Sequence, residues 1–375
     1  EEKSLSDVAT GFDYGMNAAA GAFDGLNKYI RITDIDEESR CYIDENPVSP
    51  KGELDDKYLV RENDILFART GASTGKTYLY KKSDGKLYFA GFLIRISVNC
   101  DNNSNFVYNA TLTDRYNRWV RLTSMRSGQP GINSQEYSSY ETYYPLLPEQ
   151  NKITSFLKKL DQRIEKQRQL VEALKSYKRG FLNSYISQNE QDWSKVRLSD
   201  ILTERKEYCE KDGTYPHATL SKDGVYGKTD RYDRDYLVSS DDKKYKVTHK
   251  GDLCYNPANL KFGVICINTY GDAIFSPIYI TFEISEQHNT EFVGAYLMRP
   301  DFINQALRFQ EGTVYERMAV SPDDLLAMSI HLPPKSEQNK LAEGLSKMQI
   351  KIQAEEEVLN KTVLLKKALL SLLFI

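Results

Sequence analysis

The stretch EQNKITSFLKKLDQRIEKQRQLVEALKSYKRGFLNSYI, Glu149 to Ile186, returns as EQNKLAEGLSKMQIKIQAEEEVLNKTVLLKKALLSLLFI, Glu337 to Ile375. The offset is 188 residues, half of a 375-residue chain. Repetition at that distance makes two copies of one domain-sized unit the first expectation. A proline-containing lead-in, YYPLLP or IHLPP, precedes each copy, and neither copy contains proline after it.

Within both copies apolar residues recur at three-four spacing, the seam of a long helix that needs a partner. In the first copy the pairing residues are Leu157, Leu160, Ile164, Val171 and Leu174, with Ile153, Phe181 and Tyr185 extending the stripe. In the second they are Leu345, Met348, Ile352, Leu359 and Leu369, extended by Leu341 and Leu373. Both seams break at the same places, Gln167 and Glu355, then Lys178 and Lys366, and shared breaks predict a fixed register. A 36-residue helix reaches about 54 Å at ~1.5 Å per residue, long for an ordinary globular core. Two such helices, packed antiparallel as a rod between two globular bodies with pseudo-two-fold symmetry, are the arrangement this predicts.

The globular parts repeat more faintly. SLSDVA at Ser4 answers RLSDIL at Arg197, and KYLVRENDILF at Lys57 answers KYKVTHKGDLCY at Lys244, with Asp64 and Asp252 again 188 apart. LYFAGFLIRIS at Leu87 and AIFSPIYITFEIS at Ala273 alternate like strands. DRYNRWVRLTSM from Asp114 and EFVGAYLMRPDFINQALRF from Glu291 are expected to be helical. The fold class is therefore α+β: two mixed α/β domains, each followed by a long helix. The boundaries are residues 1–147, 148–189, 190–333 and 334–375, with the polar SQNEQDW, Ser187 to Trp193, as linker.

The loop ARTGASTGKT, Ala68 to Thr77, resembles a phosphate-binding loop but departs from it. A Walker loop has four residues between glycine and Gly-Lys; Gly71 and Gly75 have three between them. The following TYLYKKSDGKLYF alternates as a strand, so no helix N-terminus would face an anion. In the second half Gly263 matches Gly75, while Val264 and Ile265 replace Lys76 and Thr77. The retained glycine marks a tight turn. Asn256-Pro257-Ala258-Asn259 lacks the second proline and the aromatic residue of an amino-methyltransferase tetrad. Glu204-Arg205-Lys206 has the ExK form of a nuclease site without its upstream Pro-Asp. No complete catalytic site is read. Five cysteines without CxxC spacing and four scattered histidines give no metal motif, so no metal site is expected, and the thiols are expected reduced. No 18-residue apolar run and no secretory leader are seen, which predicts a cytoplasmic protein without a membrane partner.

Net charge is −3, so no global basic excess points to a polyanion partner. That weakens a nucleic-acid reading without excluding it, because charge is segregated: residues 1–56 carry 14 acidic and 5 basic side chains, residues 57–126 carry 5 and 12. DNA binding needs cations for phosphates and guanidinium or amide groups for base edges. In the first domain Arg69, Ser73, Thr74 and Lys76, then Arg126, Ser127 and Gln129, offer these; Lys76 is the expected phosphate contact. In the second the candidates are Asn256, Asn259 and Lys261, then Arg308, Gln310, Thr313, Tyr315 and Arg317.

Two unlike domains, each trailed by a copy of one helix, resemble the specificity subunit of type I restriction–modification enzymes. The resemblance is carried by LLPEQNKITSFLKKLDQRIEKQRQLVEALKSYKRGFLNSYI, LPPKSEQNKLAEGLSKM, the LSD before each domain and DILFARTGASTGKT, and spans nearly the whole chain. It implies two target-recognition domains on a bipartite double-stranded DNA site, with the helices as a ruler between half-sites. It also implies two methyltransferase subunits that supply S-adenosylmethionine, with none bound by this chain, and motor-nuclease restriction subunits. The chain itself would be non-catalytic. The competing classes are a self-contained DNA-modifying enzyme and a coiled-coil scaffold that binds no DNA.

Overall fold

The structure, a computed structural model, describes residues 1–210, 213–222, 224–228, 244–309 and 319–374. The chain divides into two compact units, residues 1–170 with 355–375, and residues 171–354. Two helices are long, Leu147–Asn189 and Lys335–Leu373, and each contributes to both units.

In the first unit a four-stranded antiparallel sheet orders Ala9–Tyr14, Leu93–Val98, Asp64–Ala68 and Thr77–Leu79. Asp64–Ala68 reads DILFA and is buried along its whole length, as a strand covered on both faces must be. Ile65, Phe67, Ile94 and Ile96 pack with Phe106, Tyr116, Tyr137 and Tyr140 into the main core. Strand Glu141–Tyr143, which ends on the first residue of the lead-in YYPLLP, pairs antiparallel with Glu2–Ser4.

The second unit builds the same sheet from Leu202–Glu204, Ile280–Ile284, Leu253–Tyr255 and Ile265–Ile267, in the same order. Its lead-in strand, Ser329–Leu332, pairs with Ser194–Arg197. Asp64 and Asp252 do the same work in the two sheets. Each is buried, accepts a backbone N–H from three residues earlier (Arg61, His249) at 2.8 Å, and faces an arginine, Arg95 at 3.8 Å or Arg205 at 2.9 Å. The helical stretch expected from Glu291 forms, but in two pieces, Thr290–Leu297 and Pro300–Ala306, because Pro300 starts a new helix.

The long helices pair antiparallel within each unit. In the first, Lys366 forms an ion pair with Asp161, and Gln167 Nε2 donates to the Glu355 carboxylate at 2.6 Å and carbonyl at 3.0 Å, so one index rises as the other falls. In the second, Lys178 Nζ donates to Gln349 at 2.8 Å and the Tyr185 hydroxyl to Glu337 at 2.9 Å. Every seam break expected to fix register thus finds a partner on the other helix. Leu157, Ile164, Val171, Leu345 and Ile352 are buried, and Leu160, Leu174, Met348, Leu359 and Leu369 are half-buried. The expectation for Leu373 is corrected: it stays exposed, and the seam ends instead through Leu370 and Phe374, which enter the first core.

The helices also complete the cores. Leu157, Leu370 and Phe374 join the first, while Leu345, Leu182 and Ile186, the same positions 188 residues away, join the second. Leu157→Ala is therefore expected to cost about 2–5 kcal/mol, the usual range for a buried leucine cut back to alanine. Chemical denaturation of the full chain measures it; a loss under about 1 kcal/mol would mean the helix is not part of that core.

Candidate nucleic-acid interface

The glycine loop is a fastened turn between adjacent strands. Ala68 N–H donates to the Lys76 carbonyl at 2.8 Å and Gly75 N–H to the Ala68 carbonyl at 2.9 Å. The buried Tyr137 hydroxyl bridges the same ends, donating to Ala68 O at 2.7 Å and accepting from Gly75 N at 3.1 Å. Gly75 sits at φ 87°, and a Cβ there would lie 2.5 Å from Val120 Cγ1, so both backbone and packing demand glycine. No helix follows; the chain continues as strand Thr77–Leu79. The geometry is that of a turn and not of a nucleotide-phosphate cradle, as the spacing predicts.

The loop is joined to the segment after helix Asp114–Thr123. Gly71 N–H donates to Pro130 O at 2.9 Å, Ile132 N–H to Arg69 O at 2.9 Å, and Thr74 Oγ1 lies 3.3 Å from Pro130 O. The two candidate clusters of the first domain, 69–76 and 126–129, are thereby brought to one surface. Arg69 is half-buried there. Its guanidinium lies 4.7 Å from the Tyr14 ring centroid, Nη1 donates to Gly91 O at 3.3 Å, and the adjoining Phe92 is 64% exposed. Arg126 is exposed, donates to Thr123 O at 3.0 Å and Met125 O at 3.1 Å, and forms an ion pair with Glu136. Ser127 and Gln129 are exposed. Ser73 Oγ lies 3.5 Å from Glu37, and the Thr74 hydroxyl donates to Gly71 O at 2.7 Å.

Lys76 departs from its expected role. It is 4% exposed, donates to Ile35 O at 3.0 Å and is ion-paired with Glu37. An ammonium engaged inside the fold is not presented to a phosphate, so the reading of Lys76 as a phosphate contact is corrected. The same pairing accounts for part of the charge segregation: Arg95 meets Asp13 at 2.6 Å and Arg115 meets Glu2 at 3.0 Å, basic segment to acidic segment.

In the second domain the corresponding loop opens into a short 3-10 helix, Pro257–Phe262, ended by Gly263 at φ 77°. Asn256 is buried, and its side chain caps that turn by accepting from Ala258 N at 3.1 Å, which makes it a structural residue. Asn259, Lys261 and Arg308 are exposed, Lys261 lying over the Phe262 ring at 5.0 Å. Val320 N–H donates to Pro257 O at 3.3 Å, the repeat of the Ile132–Arg69 bond. Gln310, Thr313, Tyr315 and Arg317 lie outside the described residues. Glu204 of the ExK sequence faces Lys246 at 3.3 Å and Lys206 at 3.6 Å, while Arg205 faces Asp252, so these side chains form an ion-pair network.

Sequence reasoning missed Tyr14 and Phe92, which stand next to Arg69 only after folding. It also assigned no role to Gln150 and Gln338, although both lie in the repeated EQNK. Among the described residues no helix is long and apolar enough to cross a membrane.

The chain matches the family described as Type I restriction modification DNA specificity domain twice, over residues 4–175 and 190–363. Its fold is similar to a solved chain from work on complex assembly and conformational transition of the type I R-M system. The TM-score is 0.59 at 15% identity, covering 99% of this chain and 96% of that one. It is also similar to the type I restriction–modification S subunit from M. genitalium, with TM-score 0.57 at 14% identity, covering 100% of this chain and 96% of that one. With two copies of the domain matched along nearly its whole length, and a long helix ending each, the chain belongs to the type I restriction–modification DNA specificity family, as a specificity subunit.

Proposed function

We propose that this subunit is a non-catalytic address reader, with residues 1–147 and 190–333 each recognising one half of a bipartite double-stranded DNA site. Segments 148–189 and 334–375 act as the spacer between them. The observation that carries this reading is the register of the helices: Gln167 bonds to Glu355, its own repeat counterpart, as expected where an antiparallel pair of like helices is symmetric about itself. A rigid pair of readers binds only half-sites whose separation matches its own.

The DNA-facing groups are Arg69, Arg126, Ser127 and Gln129 on loops of the first domain, and Asn259, Lys261 and Arg308 on short 3-10 helices of the second. Lys76, Thr74 and Asn256 hold those loops in shape. Two methyltransferase subunits bring S-adenosylmethionine and the chemistry, and restriction subunits complete the enzyme in the cytoplasm. Their docking surface includes the apolar face of the second long helix that its own unit leaves uncovered, where Leu364, Leu365 and Leu372 are 65%, 52% and 69% exposed.

Inserting four residues in one long helix lengthens it by about 6 Å. The expected result is a changed preferred spacer with both half-site sequences unaltered, read by selecting methylated sites from a random-spacer DNA library. An unchanged spacer would sink the ruler.

Lys76→Met is expected to destabilise the first unit by about 1–3 kcal/mol, the cost of stranding the buried Ile35 carbonyl. It should leave the slope of DNA affinity against salt unchanged. Arg69→Ala, in contrast, should weaken DNA binding with little loss of stability. A salt titration of the assembled complex distinguishes the two, and a shallower slope for Lys76→Met would return that lysine to the DNA surface.

A further inference from the structure

A ruler sets a distance only if its joints are stiff, and each joint here has a second fastening besides the chain itself. Gln150 and Gln338, one turn into the long helices, are each 1% exposed. The Gln150 carbonyl accepts from Asn103 N–H at 2.9 Å; its amide donates to Pro145 O and Asn102 Oδ1, both at 2.9 Å. The Gln338 carbonyl accepts from Asn289 N–H at 2.9 Å; its amide donates to Pro333 O at 2.8 Å and meets His288 Nδ1 at 3.2 Å. Burial and Lys335 push the His288 pKa down, and an Nδ1 without its proton accepts that bond.

Asn103 and Asn289 are the N-caps of helices Ser104–Ala110 and Thr290–Leu297, which carry Phe106 and Phe292 into the two cores. Each cap also donates from its own amide to the residue after the glutamine, Asn103 to Asn151 at 2.7 Å and Asn289 to Asn339 at 2.9 Å. The same joint is thus built twice, once in each unit, from the EQN that opens both helices.

Apolar packing of Leu157 or Leu345 resists separation but is non-directional, and tolerates small rotations of a helix against a domain. A buried amide with its acceptor and both donors engaged does not, because a shift of a fraction of an ångström breaks bonds that no water replaces. We propose that Gln150 and Gln338 are positioning residues that lock each reader's angle to its spacer helix, and so set how strictly the complex enforces the separation of the two half-sites. This rests on the bipartite-reader function proposed above.

The test is methylation of a random-spacer DNA library by the complete methyltransferase complex carrying Gln150→Leu, Gln338→Leu or both. Leucine keeps the volume and removes every bond. The half-site sequences should stay the same, while methylation of sites one base pair too long or too short should rise about tenfold relative to the preferred spacer, the factor equivalent to ~1.4 kcal/mol. A uniform fall at all spacers, with their ratios kept, would reduce the glutamines to ordinary stabilising residues and overturn the proposal; so would an unchanged profile. Should the leucine variants not assemble, Asn151→Ala and Asn339→Ala remove only the exposed outer bond and are expected to shift the profile the same way by less. Unmoved ratios there would also count against the lock. A wild-type complex with no fixed-spacer, two-part motif would sink the reader function itself and the lock with it, whereas a fixed motif that the variants leave untouched sinks the lock alone.

Discussion

The structure depends on polar groups set into an apolar helix seam. A seam of leucine and isoleucine alone can slide by a turn or a heptad at small cost, since one apolar neighbour serves as well as another. The breaks remove that freedom. Gln167 must meet Glu355, Lys178 must meet Gln349 and Lys366 must meet Asp161, and the last two contacts are repeats of each other at the 188 offset. Sliding would strand several half-buried polar groups at about 1–3 kcal/mol each. Burial already pushes the Lys178 pKa below its ordinary value, so that amine is poorly hydrated and relies on its hydrogen bond.

Register carries directly into the domains because the helices are not appendages. The first core is completed by Leu157 from one helix and by Leu370 and Phe374 from the other; the second takes Leu345, Leu182 and Ile186. Each domain therefore packs around a helix pair aligned by its polar breaks, and the aligned pair is in turn held by the domain. Local pattern and tertiary packing favour one arrangement, which is the condition for a single native state.

The repeat made this architecture legible. A period of 188 residues, a three-four seam and matching polar breaks recur at fixed positions in both halves, so the pattern alone displays them. The glycine at positions 75 and 263 is legible for the same reason: both adopt positive φ. Side-chain roles were less so. Lys76 reads as a surface cation until Ile35 and Glu37, about forty residues earlier and in a segment with no repeat counterpart in the pattern, fold over it. Tyr14 is likewise 55 positions from the arginine it stacks on, at a spacing that no periodicity encodes. Periodicity places Leu373 in the seam's last turn, but in a run as apolar as LLSLLFI it does not choose which residue faces inward, and Leu370 and Phe374 do.

The two domains also show how one frame presents different chemistry. At the position where the first domain has Arg69 the second has Pro257, yet the bond made by that residue's carbonyl is kept, from Ile132 N–H in one and Val320 N–H in the other. The following caps are kept too: Asn133 accepts from Glu136 N–H and Ser321 from Asp324 N–H. What changes is everything outside the backbone ladder. Arg69 uses its own N–H to bond Phe92 O and lays its guanidinium on Tyr14, while Pro257 has no N–H and starts a 3-10 turn capped by Asn256. A carbonyl bond is indifferent to the side chain that carries it, so the frame can be held constant while the exposed surface is exchanged. That separation lets two domains of one chain share a fold while presenting unlike surfaces, here a stacked arginine beside an exposed phenylalanine on one and Asn259 with Lys261 on the other.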